Sequence, residues 1–339
     1  MRIVGIALLA ALALVPNAAA KNEVLAELPA YSDIDALNGW VVWNAPVKGH
    51  DVLRAWHDGV VQQLPVRRPQ AFDFDLGTDR KGRTVATYTR CHQYAGPGLY
   101  WWGSLANRGC AIRVLDLETG KERPAGEPMP KGLSHRTPAM WRGRIAYGEY
   151  RPYGGEGDEL TQVRLWSPIT GRVLTKPHGT VPTCRYIPCH PGSLPRVGWT
   201  VDMDLGDRLL AFTWGAQTTD EEKAIWEERV DDSRGNTRSL ARGGVGEGFG
   251  SAPWDASIVG GKLWFGYSYD DAPVEKNWLF SYTEGAKKPV RSHLDIHVEA
   301  IARDHGTFYA LVRSDQTDVY EPCTDTDPCT LERLGANVP

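Results

Sequence analysis

A glycine turn followed by a short apolar run recurs along the chain and organises the whole sequence. The runs are four to six residues long, and with their glycines they occupy positions 39–43, 82–88, 143–147, 206–212, 261–265 and 306–311. Glycine supplies the positive φ that a tight hairpin demands, so the pattern predicts β-hairpins rather than long helices. We expect each apolar run to be the second strand of a four-stranded sheet.

A stretch suited to an innermost strand lies just before each turn, at positions 32–37, 71–76, 138–141, 199–205, 254–259 and 297–302. Third and fourth strands follow each of the first five turns, most clearly within residues 111–124. Successive glycine turns are 43 to 63 residues apart, a variable spacing typical of propeller blades with insertions, whereas a solenoid would hold a stricter period. The sequence therefore predicts an all-β, six-bladed β-propeller of four-stranded antiparallel blades.

The sixth blade lacks one strand. Only a third strand, near residues 330–334, follows its hairpin, while residues 23–29 precede the first blade with no other role. A strand from that segment would complete the sixth sheet and remove an exposed edge. We expect the ring to be closed by this N-terminal strand.

Blade two carries a motif found in a known family. Its first half reads Asp-Arg-Lys-Gly-Arg-Thr-Val-Ala-Thr-Tyr at 79–88, and its second half reads Ile-Arg-Val-Leu-Asp-Leu-Glu-Thr-Gly-Lys-Glu-Arg at 112–123. This pair resembles the repeat of TolB-type propellers, and residues 163–171 repeat the second half. The resemblance implies a six-bladed scaffold used for protein contacts, with no catalytic residues to transfer. The chain lacks room for the separate N-terminal α/β domain of TolB itself.

The first twenty residues have the pattern of a secretory signal. Arg2 precedes an apolar run over residues 3–15, and the small residues Ala18 and Ala20 form a cleavage motif. The run is shorter than the roughly 20 residues needed to cross a bilayer as a helix. We expect cleavage after Ala20, a single propeller domain over residues 21–339, and a secreted or periplasmic location without a membrane span.

The cysteines support the same location. Their number is even, six, which favours disulfides in an oxidising compartment. They form three neighbouring couples, and loop closure favours close partners. The expected bridges are Cys91 with Cys110, Cys184 with Cys189, and Cys323 with Cys329. Zinc is the rival interpretation, but no Cys-x-x-Cys occurs.

Charge excludes one class of partner. The formal net charge is −4 and both signs are interspersed, so the chain lacks the basic stripe that nucleic acid binding requires.

Acidic doublets mark the predicted innermost strands. Alternate residues of a strand share one face, so each doublet places two carboxylates on one side. The doublets are Asp33 with Asp35, Asp73 with Asp75, and Asp202 with Asp204, and Asp255 and Glu299 lie near corresponding places. One interpretation is a channel site for a hard cation such as Ca²⁺, with Asp33, Asp73, Asp202 and Asp255 as ligands. The other, which we favour, is hydrogen bonding to the backbone of the neighbouring blade.

The insertion between Cys91 and Cys110 is rich in aromatic residues, including Tyr94, Tyr100, Trp101 and Trp102. If a Cys91–Cys110 disulfide closes the loop at its base, the loop could present these aromatic side chains as rigid contact residues for a protein or glycan. Alternatively, the rings fold back over the blade as a small satellite core. His135 and Trp254 are further candidate contact residues.

No catalytic constellation is recognisable, since the chain has no G-x-S-x-G elbow and its acidic loop at 156–159 has the composition of a solvated segment. We therefore expect a non-enzymatic binding module for a protein or an envelope polysaccharide. The alternative is a metal-assisted, lactonase-like hydrolase or lyase with its site at the mouth of the central channel.

Overall fold

The architecture is known from a computed structural model. It describes residues 22–28, 32–48, 50–67, 73–92, 108–153, 157–169, 172–173, 198–217, 224–232, 237–246, 249–269, 278–293, 298–313, 323 and 328–335. These residues form 24 strands. The described part of the chain contains no helix long and apolar enough to cross a membrane.

The chain starts with strand β1 (Glu23–Leu28) and then builds its first two blades. Blade 1 consists of β2 (Ile34–Leu37), β3 (Trp40–Val47), β4 (His50–His57) and β5 (Val60–Gln63). Blade 2 consists of β6 (Phe74–Thr78), β7 (Thr84–Arg90), β8 (Ala111–Asp116) and β9 (Glu122–Pro124). Each blade is an antiparallel sheet whose strands pair in chain order.

The next two blades repeat this order. Blade 3 consists of β10 (Ser134–Trp141), β11 (Arg144–Tyr153), β12 (Gly157–Ser167) and β13 (Arg172–Val173). Blade 4 consists of β14 (Gly198–Leu205), β15 (Leu209–Gln217), β16 (Ala224–Asp232) and β17 (Thr237–Gly246).

The last two blades include the closure of the ring. Blade 5 consists of β18 (Phe249–Val259), β19 (Lys262–Tyr269), β20 (Trp278–Thr283) and β21 (Val290–His293), and a short β17–β18 pairing joins it to blade 4. Blade 6 consists of β22 (Val298–Asp304), β23 (Thr307–Arg313), β24 (Cys329–Arg333) and β1. The register of β1 on β24 runs from Glu23 opposite Arg333 to Leu28 opposite Cys329. The predicted six-bladed fold and its N-terminal closing strand are confirmed.

The core is a ring of separate clusters. The described residues contain six buried hydrophobic clusters, and each combines side chains from two adjacent blades. A strand in the middle of a blade is therefore covered on both faces, which explains why the second strands read as continuous apolar runs. Gly77 permits a close approach between blades 2 and 3, because a Cβ there would lie 1.6 Å from the carbonyl oxygen of Met140.

Two of the three expected disulfides are present, Cys91–Cys110 and Cys323–Cys329. Cys184 and Cys189 lie outside the described residues, as does the predicted signal peptide. Disulfides persist in oxidising compartments, so the two bridges indicate an extracellular or periplasmic environment.

Candidate functional site

Carboxylates on the innermost strands tie each blade to the next. The side chain on one blade accepts a hydrogen bond from a backbone N–H on the following blade. These bonds run from Leu76 to Asp35 (2.5 Å), from Met140 to Asp75 (3.0 Å), from Ala256 to Asp202, from Ile258 to Asp204 and from Ile301 to Asp255 (2.8 Å). They link blade 1 to 2, blade 2 to 3, blade 4 to 5 and blade 5 to 6.

Other polar groups complete this ring. Between blades 3 and 4, the hydroxyl of Thr200 donates to the hydroxyl of Thr137 at 2.7 Å. Between blades 6 and 1, the N–H of Gly39 donates to a carboxylate oxygen of Asp304 at 2.6 Å. Every junction of the propeller therefore has a polar side chain that spans it, in addition to its hydrophobic cluster.

A β-bulge aims one of these carboxylates. The pairing of β18 with β19 shifts register between Trp254 and Ala256, and Asp255 at the bulge has a φ of 40°. A bulge re-aims a side chain, and here it directs the carboxylate to Ile301 of the next blade. The backbone of Trp254 in β18 pairs with Gly266 of β19, and the side chain of Trp254 lies outside the described part of the structure.

Burial dominates the electrostatics of the channel. It raises the pKa of Asp35 to about 7, opposed by the N–H groups of Leu76 and Ala36 and supported by the charge of Asp202. Burial likewise raises the pKa of Asp202 to about 6, against its backbone hydrogen bonds. The pKa values of three further carboxyls also lie well above the ordinary value, because of burial and then of neighbouring carboxylates: Asp75, Asp204 and Asp255. Part of this group is therefore protonated near neutral pH.

The four residues considered as cation ligands have different neighbours. Asp202 and Asp33 both raise the pKa of Asp255 through their charge, after its burial. Asp73 instead faces Arg136 and accepts a hydrogen bond from the backbone of Thr137. Within the described ranges, no three His, Cys, Asp or Glu side chains are grouped so that they could hold a metal ion. The carboxylates whose bonds are given above accept hydrogen bonds from the backbone of the neighbouring blade, which is the role that the sequence favours.

His135 is a buried residue of blade 3 and is 1% exposed. Its ring packs against Tyr147 at a centroid distance of 4.4 Å, and Nε2 lies 3.9 Å from a carboxylate oxygen of Glu149. Burial lowers the pKa of His135 to about 4, against the opposing charge of Glu149, so the ring is neutral at neutral pH. The side chain is covered by protein and presents no surface to a partner in this conformation.

The aromatic insertion is described only at its base. The Cys91–Cys110 bridge is accompanied there by a backbone hydrogen bond from His92 to Arg108 at 3.0 Å. Tyr94, Tyr100, Trp101 and Trp102 lie outside the described residues.

A cleft that the sequence did not reveal lies between blades 2 and 3. Its volume is about 610 Å³. The floor is apolar and continues the hydrophobic cluster of this junction, and it is formed by Ile112, Met140, Ile145 and Trp166. The segment 124–129, which leaves blade 2 for blade 3, forms one wall. The turn at residues 79–81 lines the other end of the cleft.

The charges around this cleft are unbalanced. Its two carboxylates have partners, since Asp79 pairs with Arg83 at 2.6 Å and Glu127 accepts from the hydroxyl of Tyr147 at 2.9 Å and pairs with Arg164 at 3.3 Å. The lining also contains three exposed cationic side chains that make no ion pair with any described residue, namely Arg80, Lys81 and Arg123. The cleft is therefore a locally positive surface on a chain of negative net charge.

Comparison with known proteins identifies the fold. No protein-family model matches the sequence, and no curated protein matches it. A protein of unknown function from Dyadobacter fermentans is 8% identical over 93% of this chain and 98% of its own, with a TM-score of 0.51. The WD40 domain of Toxoplasma gondii coronin is 11% identical over 93% and 84%, with a TM-score of 0.42. BamB from Moraxella catarrhalis is 10% identical over 92% and 98%, with a TM-score of 0.35. At such identities the likeness concerns the fold alone.

Proposed function

We propose that this protein is a non-catalytic binding module that holds a protein or an envelope polysaccharide in the cleft between blades 2 and 3. The observation that carries the proposal is the cleft itself, a preformed concave surface with an apolar floor and cations that make no ion pair within the described part of the chain. Concave apolar sites with a few polar groups are the usual form of binding sites. Four-stranded blades on both sides give it rigid walls.

The central channel supports a catalytic role less well. A hydrolase or lyase at the channel mouth needs carboxylates that are free to transfer protons or hold a metal. Here Asp75 and Asp204 accept hydrogen bonds from the main chain of the next blade, so moving them would break a junction of the ring. We infer that the channel carboxylates maintain the fold.

The proposal also includes export of the protein from the cytoplasm. We propose that residues 1–20 are a signal peptide cleaved after Ala20, in keeping with the environment that the two disulfides indicate. We also propose a TolB-type relationship, which rests on the motif of blade 2 at 79–88 and 112–123.

A steric block tests the cleft as the binding site. Wild-type protein and the variant Pro128→Trp are immobilised and exposed to a protein fraction and a polysaccharide fraction of the envelope. Pro128 is exposed and lines the cleft, whereas Pro130 is exposed on the same segment outside the lining, so Pro130→Trp is the matched control. We expect Pro128→Trp to reduce retention at least tenfold and Pro130→Trp to leave it unchanged. Equal retention by all three proteins would refute the cleft as the site, and loss only in Trp101→Ala with Trp102→Ala would move it to the aromatic insertion.

A further inference from the structure

We infer that the cleft between blades 2 and 3 recognises an extended acidic polypeptide segment that inserts an apolar side chain. This inference rests on the proposed function and specifies the chemistry of the partner.

The length of the cleft suits an extended chain. Its lining reaches from Ala111, at the start of β8, to the turn at 79–81. That turn lies beside the other end of β8, because Arg83, which pairs with Asp79, also pairs with Asp116. Strands rise about 3.3 Å per residue, so the six-residue β8 gives a groove of roughly 17 to 20 Å, enough for about five or six extended residues.

The charge of the cleft selects an acidic partner. Arg80, Lys81 and Arg123 are exposed and make no ion pair with described residues, whereas the two lining carboxylates already have partners in Arg83, Tyr147 and Arg164. Complementary charge steers encounter and suppresses partners of the same sign.

The floor distinguishes a polypeptide from a polysaccharide. Ile112, Met140 and Ile145 close the bottom of the cleft and are at most 2% exposed, so its accessible apolar surface comes from Pro128, Met129 and Trp166, the one aromatic ring in the described lining. An acidic polysaccharide would satisfy the cations, but it would press hydroxyl groups against this apolar surface without hydrogen-bond partners, which is unfavourable. A Leu, Met or Phe side chain would make apolar contact with the floor, and flanking Asp or Glu residues would pair with the cations at the rim.

The experiment is a selection from a random 12-residue peptide library displayed on phage, followed by fluorescence anisotropy with the enriched peptides. The test variant combines Lys81→Glu with Arg123→Glu. The control combines Lys287→Glu with Lys288→Glu. These two exposed lysines lie on the turn between β20 and β21, so the control changes the net charge by the same amount at a site outside the cleft. Thermal unfolding verifies that both variants are folded.

We expect peptides with acidic residues around an apolar residue, a Kd that rises at least tenfold in the cleft variant and less than twofold in the control, and weaker binding as salt increases. Absence of acidic peptides, or equal affinity for wild type and cleft variant, would overturn the inference. Enriched peptides of another composition that Pro128→Trp still blocks would overturn it while supporting the cleft as a binding site. Tighter binding of oligogalacturonate than of any selected peptide, with the same loss in the cleft variant, would show a polysaccharide partner and overturn it as well.

Discussion

The channel and the cleft both contain charged side chains, but they use them in opposite ways. In the channel, Asp75 is 4% exposed and binds the backbone N–H of Met140 in the next blade. In the cleft, Arg123 is exposed and makes no ion pair with a described residue. Met140 takes part in both, since its N–H faces the channel carboxylate and its side chain forms part of the cleft floor.

The contrast shows that burial decides whether a charged side chain of this propeller affects stability or binding. A buried carboxylate with a main-chain donor satisfies a group that would otherwise lose its hydrogen bond on burial, so it acts on the stability of the ring. An exposed cation near an apolar concavity adds little to stability, because solvent screens it, and it remains available to a partner. Substitutions in the two regions should therefore separate stability from binding.

The largest expected effect is a pH dependence that originates in the channel. The raised pKa values of Asp35 (about 7) and Asp202 (about 6) mean that the folded state binds protons more tightly than the unfolded state. Their contribution is complete below about pH 4 and is lost as the pH rises through 6 to 7, at a cost of several kcal/mol in the free energy of unfolding, since each pKa unit corresponds to about 1.4 kcal/mol. Urea unfolding across this range measures the loss.

The titration of His135 changes the free energy of unfolding with pH in the opposite direction. Its pKa is lowered to about 4, so its contribution is present above about 6.5, the ordinary pKa, and is lost as the pH falls. The variant Asp35→Asn removes the carboxyl whose pKa is raised to about 7 and leaves His135 in place, so the difference between the two pH curves isolates the titration of Asp35. Parallel curves for wild type and Asp35→Asn would contradict the raised pKa of Asp35.

A comparably large effect is expected from shortening Asp255. Asp255→Ala leaves the N–H of Ile301 without its acceptor and places alanine at a positive φ, which together should cost about 3 kcal/mol. Asp255→Asn retains an acceptor oxygen and tolerates this backbone conformation, so it should cost less than about 1 kcal/mol. Equal destabilisation of the two variants in chemical unfolding would show that the negative charge, and not the hydrogen bond, matters at this junction.

The smallest expected effect on stability belongs to the cleft. Lys81→Glu with Arg123→Glu should change the free energy of unfolding by less than about 0.5 kcal/mol, because both side chains are exposed and make no ion pair with described residues. Calorimetry of this variant beside Lys287→Glu with Lys288→Glu gives the measurement. Destabilisation of the cleft variant alone would mean that these cations stabilise the junction of blades 2 and 3, and the contrast with the channel would fail.

The strands were predictable because their signals are local. Each glycine turn lies next to the apolar run that it serves, and the closing strand β1 followed from a blade that lacked one. The spacing of the acidic doublets was also informative, since Asp202 and Asp204 both reach blade 5, at Ala256 and Ile258. A period of two places both carboxylates on the face toward that blade.

The choice between a cation and a hydrogen bond depended on distances across blades, which no local pattern encodes. The position of the backbone N–H of Ile301 relative to Asp255 is set by the bulge in β18 and by the packing of blade 5 on blade 6. The cleft was invisible for the same reason. Its rim and floor come from Arg80, Arg123 and Trp166, which lie far apart in the sequence and meet only when two blades pack.

The closure of blade 6 also sets an order of events during folding. Strand β1 leaves the ribosome before every other described strand, yet its partner β24 is the last of them to be synthesised. No other described strand pairs with β1, so β1 stays unpaired until the rest of the propeller has been synthesised. The final step is then a long-range contact between Leu28 and Cys329, and long-range contacts are slow to form. A chaperone that shields the waiting strand should raise the yield of the native ring.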